Sequence, residues 1–129
     1  MRLVVTAAAC ALVALAAGCG GSDDDTEDAA PAGVDLTVVV HPRGPDGPVR
    51  KRHIRCDRPG TNGCRNLAGL TAQQLEPVPA GTACTQIYGG PATARVRGRL
   101  SGGAVDARFD RHDGCEIERW DRNRVLLGD

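Results

Sequence analysis

Four cysteines in this 129-residue chain predict disulfide chemistry: Cys56, Cys64, Cys84 and Cys115. In an exported protein such thiols oxidise, and an even number predicts two disulfides without fixing how they pair. The loop from Cys56 to Cys64 is short enough to close on itself. Zinc would also take four cysteines, but no close Cys-x-x-Cys pair is present, so we predict no metal site.

The N-terminus indicates export. Met1 and Arg2 carry positive charge, and residues 3–17 form an almost unbroken apolar run. A charged start, a short apolar core and small residues at its end are typical of a secretory signal, and the run is shorter than the ~20 residues of a membrane-spanning helix. We assign residues 1–18, which include Cys10, to a signal peptide rather than to a buried helix.

Cys19 is a candidate lipidation site. Residues 15–19, Leu-Ala-Ala-Gly-Cys, resemble the lipobox of bacterial lipoproteins, in which the cysteine sulfur takes a diacylglycerol and becomes the new N-terminus. Two acyl chains suffice for stable attachment. We therefore predict an exported protein held on the outer face of the cell membrane by this lipid anchor alone. Simple cleavage nearby, which would leave the protein free outside the cell, is the alternative.

Composition divides the remainder into a tether and a domain. Residues 20–33 contain five acids, no base and no large apolar residue, which predicts a flexible tether over 19–33. From Val34 onward there are 15 bases and 11 acids, a net charge near +4. No basic cluster is interleaved with aromatics, so no nucleic-acid partner is predicted. We expect one folded domain at 34–129.

Enzyme motifs are missing from the sequence. His41, His53 and His112 are its only histidines, and it has no Gly-x-Ser-x-Gly, His-Glu-x-x-His or phosphate-binding loop. Glu116 and Glu118 are expected on one face of a strand, in contact with water. We predict that the protein is not an enzyme, has no catalytic residue and uses no cofactor.

Two hairpins are predicted from alternating patterns. Residues 34–40 are rich in β-branched types, the turn-rich stretch 42–48 follows, and residues 49–56 alternate weakly, as expected for a returning strand. Residues 92–100 and 105–109 alternate on either side of a Ser-Gly-Gly turn. Both patterns favour an antiparallel sheet.

Two further elements complete the predicted fold. Leucines spaced over residues 66–75, with Thr71 as a cap, predict one short helix. Residues 115–120 are expected to form another strand. The expected fold class is α+β, with an antiparallel sheet of about five strands, one or two short helices and two disulfides.

An arginine row marks one face of the second hairpin. Arg95, Arg97 and Arg99 alternate with small and apolar residues, which places them on the solvent side of the sheet, opposite Asp106 and Asp110. The row could form an anion-binding stripe. We favour the alternative, a solvated face on which acids and bases pair across the hairpin.

Three segments together resemble the Streptomyces subtilisin inhibitor family. They are Cys-Thr-Gln-Ile-Tyr-Gly-Gly-Pro at 84–91, Ala-Arg-Val-Arg-Gly at 94–98 and Gly-Cys-Glu at 114–116. The similarity runs from about residue 34 to 120, and Cys19 would make this chain a lipoprotein-like member. The resemblance implies an open antiparallel sheet of about five strands with two helices. It also implies that the cysteines are bonded first to second and third to fourth, as Cys56–Cys64 and Cys84–Cys115.

The resemblance further implies an activity, the inhibition of subtilisin-like serine proteases. The reactive peptide bond of the family lies two residues after the third cysteine, which is Gln86–Ile87 here. Thr85 and Tyr88 would flank it. Such a segment binds like a substrate through main-chain hydrogen bonds, and holding it in the bound shape beforehand raises affinity.

A second function stays open on the same residues. A non-inhibitory cell-envelope module could use the run Gln-Ile-Tyr-Gly-Gly at 86–90 to bind a different partner. Gly89 and Gly90 are expected to add backbone freedom to this run. The sequence also leaves open whether the protein forms a homodimer.

Overall fold

The computed structural model describes residues 33–61 and 64–128. The predicted signal peptide, Cys19 and nearly all of the predicted tether lie outside these residues. Within the two described ranges, no helix combines the length and the apolar character that a membrane span requires.

Four antiparallel strands form one sheet in the order β2-β1-β3-β4. The strands are β1 (Val34–His41), β2 (Arg50–Cys56), β3 (Thr93–Leu100) and β4 (Gly103–Phe109). Both predicted hairpins are confirmed. The most β-branched segment, β1, takes a central position with a partner strand on each side.

Strict alternation along β1 separates the two faces of the sheet. Val34, Leu36, Val38 and Val40 are each at most 2% exposed and point toward the helices, whereas the residues between them face outward. Because side chains alternate between faces, the apolar set shares one side, where burial stabilises the fold. Val96 of β3 lies directly opposite Val38 and is also fully buried.

A tight turn joins β3 to β4. Ser101 and Gly102 both have positive φ, 49° and 86°. Two such residues between antiparallel strands match the twist of a hairpin, and glycine adopts this backbone region at little cost.

The helices cover the inner face of the sheet, and four short helical segments are present in the described ranges. They are a 3₁₀ helix (Arg65–Leu67), α1 (Ala72–Leu75), α2 (Gly114–Arg122) and α3 (Arg124–Leu127).

The single helix predicted at 66–75 is divided in two. Gly69, with φ of +84°, separates the 3₁₀ helix from α1. Thr71 precedes α1 as predicted, and its backbone N–H donates to Gln74 Oε1 at 3.2 Å.

The strand predicted at 115–120 is wrong, because this segment lies in α2. Asp113 caps the helix by accepting a hydrogen bond from the backbone N–H of Glu116 at 2.9 Å. Trp120 is buried, and the buried side chains continue at helical spacing through Asn123 to Leu127. Six residues are too few to distinguish a helical period from a strand period. Because this segment is helical, the described sheet has four strands rather than about five.

The two glutamates predicted on one strand face lie on different sides of α2. Glu116 is largely buried and pairs with the buried Arg119, with Oε2 2.9 Å from Nη1. Glu118 is exposed and lies 4.0 Å from Arg122.

Two disulfides are present, as predicted. Cys56–Cys64 joins the end of β2 to the start of the 3₁₀ helix, with 6.1 Å between the Cα atoms. Cys84–Cys115 joins the segment before β3 to the first turn of α2.

The arginines of β3 face outward, as predicted. Arg95 binds Asp106 through two hydrogen bonds of 2.8 and 2.7 Å, and Arg97 lies opposite Asp106 in the strand pairing. Hydrogen bonding from Arg95 lowers the pKa of Asp106 to about 2.

Candidate functional site

The segment that contains the predicted reactive bond lies on the surface between α1 and β3. Residues 82–90 belong to no helix or strand. Gln86, Ile87 and Tyr88 are all exposed, Ile87 by 59% and Tyr88 by 68%. An aliphatic and an aromatic side chain that protrude together bury little in their own fold, so they are available to another molecule.

Two backbone hydrogen bonds fix the ends of this exposed stretch to the segment that leads into α2. The carbonyl of Thr85 accepts from the N–H of Gly114 at 2.9 Å, and the N–H of Gly89 donates to the carbonyl of Arg111 at 2.7 Å. The chain takes four residue steps from 85 to 89 but only three from 111 to 114. The longer side therefore has one extra residue to accommodate, and the exposed residues Gln86, Ile87 and Tyr88 form an outward bow.

The Cys84–Cys115 disulfide reinforces the first of these two connections. It lies next to the Thr85–Gly114 hydrogen bond, with 5.4 Å between the two Cα atoms. Closing a loop between residues 31 apart in sequence is worth about 3.7 kcal/mol on the chain-entropy model. The residue two positions before the predicted reactive bond is therefore covalently held against a helix.

Gly89 is required by close packing, contrary to the expectation that it loosens the segment. A Cβ at this position would lie 2.7 Å from Ile117 Cγ1 and 3.2 Å from Arg111 Cβ. Only glycine lets the backbone approach this closely. Gly90 has a φ of +106°, which also favours glycine, and this turns the chain toward Pro91.

The segment beneath the bow is held by charged side chains. His112 bonds to Asp110 through Nδ1 and lies 3.1 Å from Asp113 through Nε2. The hydrogen bond to Asp110 raises the pKa of His112 above its usual value. The guanidinium of Arg111 lies over the ring of Trp120, 5.9 Å from its centroid, which attaches this segment to the core.

Within the segment, the side chain of Gln86 folds back on its own backbone. Its Nε2 donates to the carbonyl of Cys84 at 3.3 Å. This contact is exposed and local, so a partner could displace it at little cost.

A metal site is incompatible with the side chains present at this position. The ligand atoms of Cys84, Cys115 and Asp113 lie within 4.8 Å of one another. Both sulfur atoms are bonded to each other, however, and a metal requires thiolates.

The sequence singled out the exposed residues of this site but not the residues that support them. Thr85, Gln86, Ile87 and Tyr88 follow the bridged Cys84 directly along the chain, and their roles at a reactive bond stay a prediction. Arg111, Gly114 and Ile117 had no assigned role. A glycine directly before a bridged cysteine, as Gly114 is, is a sequence signal for close approach of two backbone segments. Nothing in the sequence distinguishes Arg111 from the other arginines.

No family model, curated protein or solved structure matches this chain. The resemblance of residues 84–116 to the subtilisin inhibitor family therefore stays a prediction.

Proposed function

We propose that this protein inhibits subtilisin-like serine proteases, with Gln86–Ile87 as the reactive bond. The supporting observation is the exposed bow at residues 86–88, held on both sides of that bond by backbone hydrogen bonds to the segment 111–114. The protein would act outside the cell, at the membrane surface if Cys19 carries a lipid.

Binding would resemble that of a substrate. The bow would enter the protease cleft and pair its backbone with the cleft, while Gln86 occupies the main specificity pocket. Thr85 and Ile87 would contact the neighbouring subsites. Since the bow is already anchored before binding, little conformational entropy would be lost in the complex.

The anchoring also explains how cleavage would be suppressed. The protease serine oxygen would attack the carbonyl carbon of Gln86, and the bond to the nitrogen of Ile87 would break with transfer of a proton to that nitrogen. The new amine would stay near the acyl group, because Gly89 is bonded to Arg111 on one side and Cys84 to Cys115 on the other. The amine would then attack the ester and restore the peptide bond before water could hydrolyse it.

Titration against a subtilisin-like protease tests this proposal. The purified full chain in a mild non-ionic detergent is added to the enzyme with a chromogenic peptide substrate. We expect stoichiometric loss of activity, and a weakening of about 30-fold or more for Gln86→Asp, since loss of a hot-spot residue in the main pocket costs at least ~2 kcal/mol. Steady substrate turnover at excess protein would refute the proposal.

A matched substitution tests whether the effect of Gln86→Asp is specific to the bow or follows from any added negative charge on the surface. Gln73→Asp introduces the same change at another exposed glutamine, on α1. It should inhibit like the unaltered chain. Equal weakening by both substitutions would contradict a role for Gln86.

The exposure of Tyr88 favours a second candidate function, a non-inhibitory binding module. Tyr88 and Pro91 border a shallow cavity of about 200 Å³ that also contacts Asp110 and His112. Exposed tyrosines are frequent anchors of protein interfaces. If the chain leaves the protease active but captures an envelope protein, and Tyr88→Ala abolishes that capture, this function replaces the first.

A further inference from the structure

A second concave surface lies on the outer face of the sheet, away from the helices. It is open to solvent, has a volume of about 640 Å³ and is lined by residues from all four strands, including Thr37, Lys51, Arg95, Arg97 and Arg108. The volume falls within the ~300–1,000 Å³ typical of small-molecule sites. None of its lining residues belongs to the bow at 86–88.

The strand register places like charges together on this surface. Arg95 lies directly opposite Arg108 across β3 and β4, while Lys51 and Arg95 lie on either side of Val39. With strands about 4.8 Å apart, the three cations span roughly 14 Å in one row across the sheet. Like charges directly opposite each other destabilise a sheet, so this arrangement favours an anion between them.

The acids nearby neutralise only part of the row, because among the described residues Arg95 is paired and Lys51 and Arg108 are not. Asp106 is already engaged by Arg95, and Asp110 by His112. Within residues 33–61 and 64–128, neither Lys51 nor Arg108 forms an ion pair or a side-chain hydrogen bond.

A buried polar atom at the same surface also has no partner. Nδ1 of His41, which lines the cavity, is buried and makes no hydrogen bond with any described residue. An unsatisfied buried polar atom is costly, but this one has almost no accessible surface, so a ligand in the cavity would reach it only if the His41 ring turned. Lys51 and Arg108, the cations left unpaired by the described residues, therefore favour an anionic ligand more than this buried atom does.

We propose that this cavity binds a small multivalent oxyanion, a molecule with two or more phosphate or sulfate groups. One group would bind the guanidinium of Arg108 together with Nη1 of Arg95, since Nε and Nη2 of Arg95 are held by Asp106. A second group, on the other side of Val39, would bind Lys51. A second copy of the chain is disfavoured as occupant, because a symmetric contact would set this basic row against itself.

Calorimetric titration with tripolyphosphate tests the proposal. For the full chain in non-ionic detergent at low salt, we expect saturable binding at one site that weakens as salt increases. Arg108→Gln and Lys51→Gln should each weaken binding about 10-fold, the loss of one charge-assisted hydrogen bond of ~1.4 kcal/mol. Orthophosphate, with a single group, should bind at least about 10-fold more weakly.

Two control substitutions and one alternative ligand test whether binding is specific to this cavity and to a small oxyanion. Arg122→Gln and Arg124→Gln remove exposed cations from helices and should leave the affinity unchanged. Equal weakening by these variants, or absence of saturable binding, would overturn the proposal. So would binding to vesicles of anionic phospholipid without binding to tripolyphosphate.

The acidic segment 23–28 provides one more arm of the test, because its five acids are another potential source of negative charge for the row. Replacement of these acids by amides should leave tripolyphosphate affinity within about twofold, a difference of ~0.4 kcal/mol. Binding that appears only after this replacement would show that the segment itself occupies the cavity, and would contradict an external oxyanion as the occupant.

Discussion

The carbonyl oxygen of Thr85 accepts a hydrogen bond from the backbone N–H of Gly114 at 2.9 Å, one residue before the disulfide to α2. The two residues are so close that a Cβ on Gly114 would overlap Oγ1 of Thr85. The first residue of α2 therefore sets the position of the residue that precedes Gln86. Any change that separates this pair should alter the shape of the exposed bow.

Gly114→Ala should weaken inhibition without unfolding the domain. The added methyl group would displace Thr85, and the bow would have to be ordered when the protease binds. We expect a 10-fold or greater loss of affinity, about 1.4 kcal/mol, together with faster cleavage of the Gln86–Ile87 bond. Inhibition assays and mass spectrometry of the incubated mixture measure the two effects.

Gly103→Ala is the matched control for this substitution. A Cβ at Gly103 meets only the carbonyl oxygen of Leu100, at the ordinary contact distance of 3.6 Å. This variant should inhibit normally. If both alanine variants behave alike, the Thr85–Gly114 contact does not position the bow.

Local patterns in the sequence predicted much of the fold. Residues 34–40 are rich in β-branched types, so the strand was predictable, but the three consecutive valines at its end do not show which face is buried. The prediction of a strand at 115–120 was wrong because six residues are compatible with either a strand period or a helix period. Only the continuation to Leu126 and Leu127 identifies a helix.

The candidate site, like the fold, was only partly predictable from the sequence. Cys84, Gln86 and Tyr88 are recognisable from their order along the chain. The contact of Gly89 with Ile117 and its hydrogen bond to Arg111 depend on tertiary packing between distant segments. No local pattern encodes such contacts, so the sequence suggested freedom where the structure has a close fit.

Removing the Cys84–Cys115 bridge by a double serine substitution should abolish inhibition. The chain-entropy model gives a stability loss of about 3.7 kcal/mol for this 31-residue separation. Beyond that loss, the fragment before a cleaved Gln86–Ile87 bond would be released from α2, so we expect the protein to become an ordinary substrate. Denaturant unfolding and the cleavage rate measure these effects.

The Cys56–Cys64 bridge offers an internal comparison. Its 8-residue separation predicts a loss of about 2.5 kcal/mol, and it lies away from the bow. Its double serine variant should still inhibit below its own unfolding temperature. Loss of inhibition in both folded variants would mean that the bow does not depend specifically on Cys84.

His112 should make the stability of the domain depend on pH. Hydrogen bonding to Asp110 raises the folded-state pKa of His112, so its contribution is fully present below the unfolded value of about 6.5. That contribution disappears as the pH rises through the folded-state pKa. His112→Gln should therefore lower Tm by a few degrees at most near pH 5.5 and have little effect near pH 9, because the group is exposed.

His53→Gln provides the comparison for this pH series. His53 is also exposed and bonded to an aspartate, Asp35, but it lies on β2, outside the segment 110–113. Its substitution should leave the cleavage rate of the bow unchanged between pH 5.5 and 9. His112→Gln should raise that rate only in the acidic half of the range. A difference from wild type that grows with pH would contradict the assignment of the raised pKa.

Arg119 should be the most costly charged residue to remove. Its Nη1 donates to the carbonyl of Arg108 at 2.7 Å and to Glu116 at 2.9 Å, and its Nη2 donates to the carbonyl of Leu75 at 2.8 Å. The guanidinium also stacks 4.1 Å from the centroid of the Phe109 ring. One side chain thus connects α1, β4 and α2 behind the bow.

Arg119→Met should destabilise the domain by about 3 kcal/mol, because Glu116 and two carbonyls would lose their buried partner. Arg122→Met, on the same helix, removes an exposed arginine 4.0 Å from Glu118 and should cost less than about 0.5 kcal/mol. Urea unfolding of both variants, with unchanged m-values, measures the difference. Similar losses would contradict a special contribution of the buried hydrogen bonds of Arg119. A loss confined to Arg119→Met would instead show that the stability of the domain depends on this buried cation.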